Sequence, residues 1–201
     1  MTSSDYYREL SGHPDRARAV GWESLEAQQA RFDVVARHCR VHDRVLDLGA
    51  GLGDLGRYLH GRVEVRYLGL ERDPGLISRG RALEPSVSLE AFDIFSDAPL
   101  PSAEVVVAIG CLVDGESLKS DALRFGKLRR LISRATSAAT RTTIIIALDQ
   151  DALERHPIRA MEPALGGLRR AEVAWLAPSA TLLPLLGTDL ALIIPIENRE
   201  S

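Results

Sequence analysis

Residues 45–56 read VLDLGAGLGDLG. An apolar run carrying one acid, Asp47, stops at a cluster of glycines, and an amphipathic stretch with Leu52, Leu55, Tyr58 and Leu59 follows. That order predicts a buried strand, a tight turn and the start of a helix. Glycines in the turn remove the Cβ atoms that would hold a ligand away from the backbone. The first N–H groups of the helix have no intrahelical partners and can face a polar or anionic group. The stretch therefore reads as the holder of a nucleotide-like cofactor.

Upstream, residues 22–39 turn helical, with Ser24 able to cap and Leu25, Phe32, Val35 and Ala36 near one face. Residues 1–21 are polar, with Tyr6, Tyr7 and a His13-Pro14 break, and read as an arm that can order on ligand binding. The first strand spans 43–48 and a short helix 54–60. Downstream, a second strand at 64–70 ends at Glu71. Pro74 opens a helix through 83, in a first turn where its missing N–H costs little. A third strand at 87–92 ends at Asp93. The fourth, EVVVAI at 104–109, is apolar enough to be buried on both faces and ends at Gly110. A long helix at 121–140 and a fifth strand at 142–148 follow.

Past Asp149 an irregular helix is expected within 152–165, broken by Pro157 and Pro163. Two last strands are expected at 168–176 and 188–196. The joining segment, 177–187, is too short for a crossover helix, so these strands should be antiparallel. Strands alternating with helices predict an α/β fold. It is a doubly wound, mostly parallel seven-stranded sheet with an antiparallel last strand. Residues 1–40 form an arm and leader helix, and residues 41–201 the cofactor-binding domain.

The totals bound the function. The chain has 201 residues, 45% of them hydrophobic and 26% charged, with a formal net charge of -3. That describes one ordinary well-cored domain. Its basic residues are mostly arginine and scattered, without the stripe a nucleic-acid partner would require. No apolar run approaches the roughly 20 residues that span a bilayer. The two cysteines, Cys39 and Cys111, lack metal-ligand spacing. With no secretory signal segment, a cytoplasmic setting with free thiols is expected. The five histidines are dispersed, so no structural metal site is expected. The expected partner is a small-molecule substrate, with no nucleic acid and no membrane, for a monomer or homodimer.

In an open parallel sheet, ligands sit beyond the carboxyl ends of the strands where strand order reverses. Four strand ends here would converge on one crevice. The first carries Asp47, Gly49, Ala50, Gly51 and Gly53, the second Glu71 and Arg72, the third Phe92, Asp93 and Ile94, and the fourth Ile109 and Gly110. The glycine spacing alone is ambiguous. Gly51, Gly53 and Gly56 spell the G-x-G-x-x-G of nicotinamide and flavin dinucleotide sites, while Gly49, Gly51 and Gly53 spell G-x-G-x-G. Glu71, about 20 residues on, can accept ribose hydroxyl hydrogen bonds under either reading.

Three features favour the second spacing. A carboxylate at Asp47 is awkward beside a pyrophosphate but suits a cationic or amine-bearing ligand. Asp93 can accept from an exocyclic adenine amine while Phe92 or Ile94 packs near the ring. The antiparallel ending departs from a purely parallel dinucleotide fold.

With these residues the sequence resembles a class I S-adenosylmethionine-dependent methyltransferase over residues 43–148. Asp47, Gly49, Gly51 and Gly53 match that family's first motif, Glu71 in YLGLERDP its ribose-binding acid, and Asp93 in EAFDIF its adenine-contacting acid. VVVAIG matches its fourth strand end. Residues 21–32, GWESLEAQQARF, resemble the leader helix of small bacterial methyltransferases of unassigned substrate, through Gly21, Trp22, Ser24, Gln28, Arg31 and Phe32. The resemblance implies a Rossmann-like fold, S-adenosylmethionine as cofactor and S-adenosylhomocysteine as product. It also implies a leader covering the cofactor, with Trp22 in the pocket wall and Arg31 against the methionine carboxylate.

No catalytic residue is assigned by the sequence. The N/D-P-P-Y pattern of enzymes acting on nucleobase or glutamine amino groups is replaced by Gly110-Cys111-Leu112-Val113-Asp114-Gly115. Asp114 and Asp149 are acids at the right end of the sheet, and His156 lies in a stretch that could line the substrate side. Cys111 reads as a small buried residue. Trp22 and Phe32 serve equally as helix core, and Arg31 as a salt-bridge partner. Two other functions stay open: a methyltransferase-fold scaffold that no longer turns over, and a NAD(P)-dependent oxidoreductase.

Overall fold

The computed structural model describes residues 13–22, 24–112, 120–149, 151, 167–185 and 189–196. Seven strands form one sheet: β1 (Arg44–Leu48), β2 (Arg66–Glu71), β3 (Ser88–Ala91), β4 (Ala103–Ile109), β5 (Ala139–Leu148), β6 (Thr181–Pro184) and β7 (Asp189–Pro195). Their order is β3-β2-β1-β4-β5-β7-β6. The first five run parallel, and β7 is antiparallel to both β5 and β6. The sequence order turns back between β1 and β4, which places the ligand crevice beyond the ends of those strands.

Local chemistry starts each helix. Ser24 caps α2 (Leu25–His38), following a short α1 (Arg16–Ala19), by accepting from the Ala27 N–H at 3.1 Å. Asp54 opens α3 (Asp54–His60). Asp73 accepts from the Gly75 and Leu76 N–H groups at the start of α4 (Pro74–Leu83), with Pro74 in the first turn. Ser120 caps α5 (Asp121–Ala138), and α6 (Arg170–Leu176) comes after it in the chain.

Alternation along the strands divides the core into two layers. Val45, Val105, Val107, Ile144 and Ile146 pack under α2, α3 and α4 through Phe32, Val35, Leu59 and Ile77. Leu46, Leu48, Val106, Ala108 and Ile145 face α5 and α6 through Leu128, Leu131, Ile132 and Val173. Fully burying each such Leu or Ile stabilises the fold by roughly 1.5–3 kcal/mol before entropy is subtracted. Arg124 clamps α5 to α6, donating to both carboxylate oxygens of Glu172 and to the Gly167 carbonyl. No helix among the described residues is long and apolar enough to cross a membrane.

The ending departs from the sequence expectation. Residues 168–176 do not form a strand: only Leu168 makes a bridge, to Asp149, and Arg170–Leu176 is helical. Thr181–Pro184, inside the expected loop, is the sixth strand. A seven-residue helix rich in Ala, Val, Trp and Leu carries too short a period to distinguish from a strand by pattern. Strand β7 falls where expected. The expected helix at 152–165, Asp114 and His156 lie outside the described residues. Residues 13–22 of the expected arm are packed, with Ala17 and Ala19 buried.

Candidate functional site

The loop after β1 passes through three left-handed glycines, Gly49, Gly51 and Gly53, at φ 78°, 57° and 76°. A side chain in that region costs about 1–2 kcal/mol. It would also find no space: a Cβ would lie 2.7 Å from Cys111 Sγ at Gly49, 3.0 Å from Val20 Cγ1 at Gly51 and 2.8 Å from Val87 Cγ1 at Gly53. Gly49 and Ala50 both donate their N–H groups to the Leu70 carbonyl at 2.8 and 3.0 Å, which ties the loop to the end of β2.

Glu71, 8% exposed, stands at that strand end. Its Oε2 accepts from the Gly51 N–H at 2.9 Å, and its Oε1 from the Arg72 and Asp73 N–H groups at 2.8 and 2.9 Å. A carboxylate has about four acceptor positions, so Oε2 retains room for a ribose hydroxyl. Accepting two hydroxyls side by side requires the Gly51 contact to yield.

Asp47 lies one layer deeper, 4% exposed, and accepts from the Tyr67 hydroxyl at 2.6 Å. The register explains the contact. Asp47 pairs with Gly69 across β1 and β2, and a Cβ at Gly69 would stand 3.0 Å from the Tyr67 oxygen. Burial is the main cause raising the Asp47 carboxyl to about 7; the Tyr67 hydrogen bond pulls it down and the Glu71 charge pushes it up. Burial and the Asp47 charge in turn hold the Tyr67 phenol well above its ordinary range.

At the end of β3, Asp93 is exposed and its Oδ1 accepts from the Phe95 N–H at 2.9 Å. Phe92 is half-buried, its N–H donating to the Glu71 carbonyl at 2.9 Å, and Ile94 is buried. Arg72 is exposed. Lys127, from α5, lies over the Phe95 ring at 4.5 Å, and burial followed by the Arg72 charge lowers its pKa. Nothing in the sequence marks Lys127, which sits mid-helix among arginines.

At the end of β4, Ile109 leads into Gly110, at φ 73° with its N–H donating to the Ile146 carbonyl at 2.9 Å. A Cβ there would lie 3.5 Å from the indole of Trp22. The arm before Trp22 crosses the glycine loop: Val20 touches Gly51, Ala19 packs with Leu52 and Leu76, and Arg79 donates to the His13 carbonyl at 2.7 Å. Arg16 anchors it, its Nε donating to Asp54 Oδ1 at 2.8 Å. Arg31 lies 4.4 Å above the Trp22 ring, donates to the Ala27 carbonyl and pairs with Asp189 of β7. It faces Asp189 in this structure.

The acceptor side carries less. Asp149 is committed to Arg170 at 2.6 Å and to the Asp151 N–H at 3.1 Å. Cys111 donates its thiol to the Leu48 carbonyl, and burial pushes its pKa upward, opposite to what a thiolate nucleophile needs. The structure thus brings Asp47, Gly49, Ala50, Gly51, Gly53, Glu71, Arg72, Phe92, Asp93, Ile94, Ile109, Gly110 and Trp22 to one edge of the sheet.

Solved structures share this architecture. The N-methyltransferase NodS from Bradyrhizobium japonicum, in complex with S-adenosyl-L-homocysteine, superposes with a TM-score of 0.71 at 12% identity, covering 98% of this chain and 99% of that one. The chain has the methyltransferase fold. The same fold, at a TM-score of 0.64 and 12% identity over 96% of this chain and 94% of that one, is seen in magnesium protoporphyrin IX methyltransferase from Synechocystis with bound SAH. A DhpI-SAM-HEP complex matches at 0.65 and 16%, covering 94% of each chain. No protein-family model and no curated protein matches the sequence. Within the methyltransferase fold, the glycine loop, Glu71 and Asp93 occupy the ends of the first three strands.

Proposed function

We propose that the chain is an S-adenosylmethionine-dependent methyltransferase acting on a small-molecule acceptor by direct in-line transfer, releasing S-adenosylhomocysteine. The observation that carries this reading is the bond from the Gly51 N–H to Glu71 Oε2 at 2.9 Å. It joins a glycine loop crowded against Cys111, Val20 and Val87 to a buried carboxylate, at the switch point of a sheet among whose solved counterparts are structures with bound SAH or SAM.

S-adenosylmethionine supplies a methyl group already activated on a sulfonium sulfur. The residues present fit it. Glu71 would accept from the ribose, and Asp93 from the adenine amine, with Phe92 or Ile94 packing near the ring. Gly49, Gly51 and Gly53 give the loop the left-handed course that brings it alongside the methionine portion. Glu71 and Asp93 make this edge acidic, which favours a cation over a pyrophosphate. Residues 13–22 act as a lid, with Val20 and Trp22 excluding water. The protein's main task is then to hold the acceptor in line, worth on the order of 7–11 kcal/mol.

Calorimetric titration with S-adenosylmethionine, S-adenosylhomocysteine and NADH in parallel tests the reading. Binding of the first two without NADH is expected. Binding of NADH alone would replace it with the oxidoreductase reading, and binding of none would leave the fold without this cofactor.

A further inference from the structure

We propose that Asp189 is a positioning residue of the site: through Arg31 it holds the Trp22 indole against Gly110, and thereby sets the affinity for the cofactor. The second half rests on the cofactor reading above; the first does not.

Strand direction puts Asp189 there. It is the first residue of β7 and pairs with Leu148, the last residue of β5. Because β7 runs against the parallel strands, its beginning lies at their carboxyl edge. The acid therefore joins the same edge as Asp47, Glu71 and Asp93 although it starts a strand rather than ends one.

The side chain is 4% exposed and its ion-pair partner Arg31 is 12% exposed. Pairing two charges away from water adds little net stability over an apolar pair of similar size, but it fixes where each charge sits. Here it fixes the guanidinium whose carbon stands 4.4 Å above the Trp22 ring. Gly110 stands beside the six-membered half of that ring, where a Cβ would come 3.5 Å from Cη2. Trp22 therefore meets both a cation on the leader helix and the end of β4. The described backbone ties of Trp22 are local, its N–H donating to the Ala17 carbonyl at 2.9 Å. Loss of Asp189 removes a charge that holds the guanidinium over the ring, the Ala27 carbonyl being another of its partners, and loosens the cover on the indole.

Only two tryptophans occur in the chain, so Trp175→Phe leaves Trp22 as the sole indole reporter. Trp175 is 70% exposed on α6 and belongs to no part of the site. In that background, Asp189→Asn and the double variant Arg31→Gln/Asp189→Asn are compared with the parent. The double variant removes both charges together and avoids stranding one of them. Acrylamide quenching of ligand-free protein is read first, with circular dichroism confirming the fold. Trp22 should be at least about twofold more quenchable in both variants, as expected when a stacked cation leaves the ring. S-adenosylhomocysteine binding should weaken about fivefold to thirtyfold, the range a desolvated cation–π contact supports. The double variant should lose no more than the single one, since both act through the same pair.

Unchanged quenching in a folded variant would overturn the proposal, as would unchanged S-adenosylhomocysteine affinity in a variant whose Trp22 has loosened. Failure of the parent to bind S-adenosylhomocysteine would instead overturn the cofactor reading, while the ligand-free quenching still decides whether Asp189 positions Trp22.

Discussion

The Tyr67 hydroxyl donates to Asp47 Oδ2 at 2.6 Å across a gap that exists because the residue opposite Asp47 is Gly69. Two buried polar groups therefore satisfy each other beneath the glycine loop. The pair also makes stability depend on pH in a definite sense. Asp47 has an ordinary value of 3.8 and a folded value of about 7, so the folded state holds a proton that the unfolded chain releases between these values. Stability from this group is fullest below pH 4, falls as pH rises toward 7 and is level above it. Asp47→Asn should flatten that fall when thermal unfolding is followed from pH 4 to 8, since Tyr67, Glu71 and Cys111 remain in place.

Glu71→Ala should weaken S-adenosylhomocysteine binding by roughly tenfold to a hundredfold, the effect of losing a hydrogen bond to a charged acceptor. It also leaves the Gly51 N–H without its partner, so a lower melting temperature should accompany the loss. Calorimetry on folded protein separates the two effects. Unchanged affinity in both Glu71→Ala and Asp93→Ala would show that the adenosine lies elsewhere.

At Gly49 the steric and conformational penalties can be separated. Gly49→Ala puts a Cβ at 2.7 Å from Cys111 Sγ and a side chain at φ 78°. Adding Cys111→Ala removes the sulfur and leaves the strain, about 1–2 kcal/mol. The double variant should recover part of the melting temperature lost by Gly49→Ala, and full recovery would contradict the left-handed geometry.

The arm should detach when its anchor is cut. Asp54 is 3% exposed and faces Arg16, so Arg16→Ala leaves a buried carboxylate with only the more distant Arg57, at 3.8 Å, and the start of α3 to offset it. Amide exchange in residues 13–22 should accelerate at least about tenfold while β4 and β5 keep their protection.

The parallel half of the fold was legible because its signals are local and repeated. Val45, Leu46 and Leu48 run apolar into glycines, and Pro74 and Ser24 mark helix starts that the structure confirms. The ending was not, because Arg170–Leu176 is too short to show a helical period and its attachment comes from Arg124, a residue 48 positions away from Glu172. At the site, the acids at strand ends could be read from their place after apolar runs. Tyr67 and Asp189 could not, since one needs the β1–β2 register and the other the direction of β7. A tyrosine two residues before a strand glycine, and an acid opening a late apolar strand, are the marks the sequence carries for them, and neither by itself assigns a contact.

The Arg31–Asp189 pair also has a temporal meaning. A ribosome completes the leader helix and the first four strands well before it reaches residue 189. At 5–20 residues per second the interval is roughly four to sixteen seconds. Throughout it Arg31 lacks the charge that will hold it over Trp22, and β5 lacks the neighbour that covers its far edge. The nascent chain can already present its glycine loop, yet the final wall of the pocket waits for the last strand to dock. Termination between β4 and β7 would therefore leave the glycine loop and the Arg16–Asp54 anchor of the arm in the chain while Arg31 lacks its Asp189 partner.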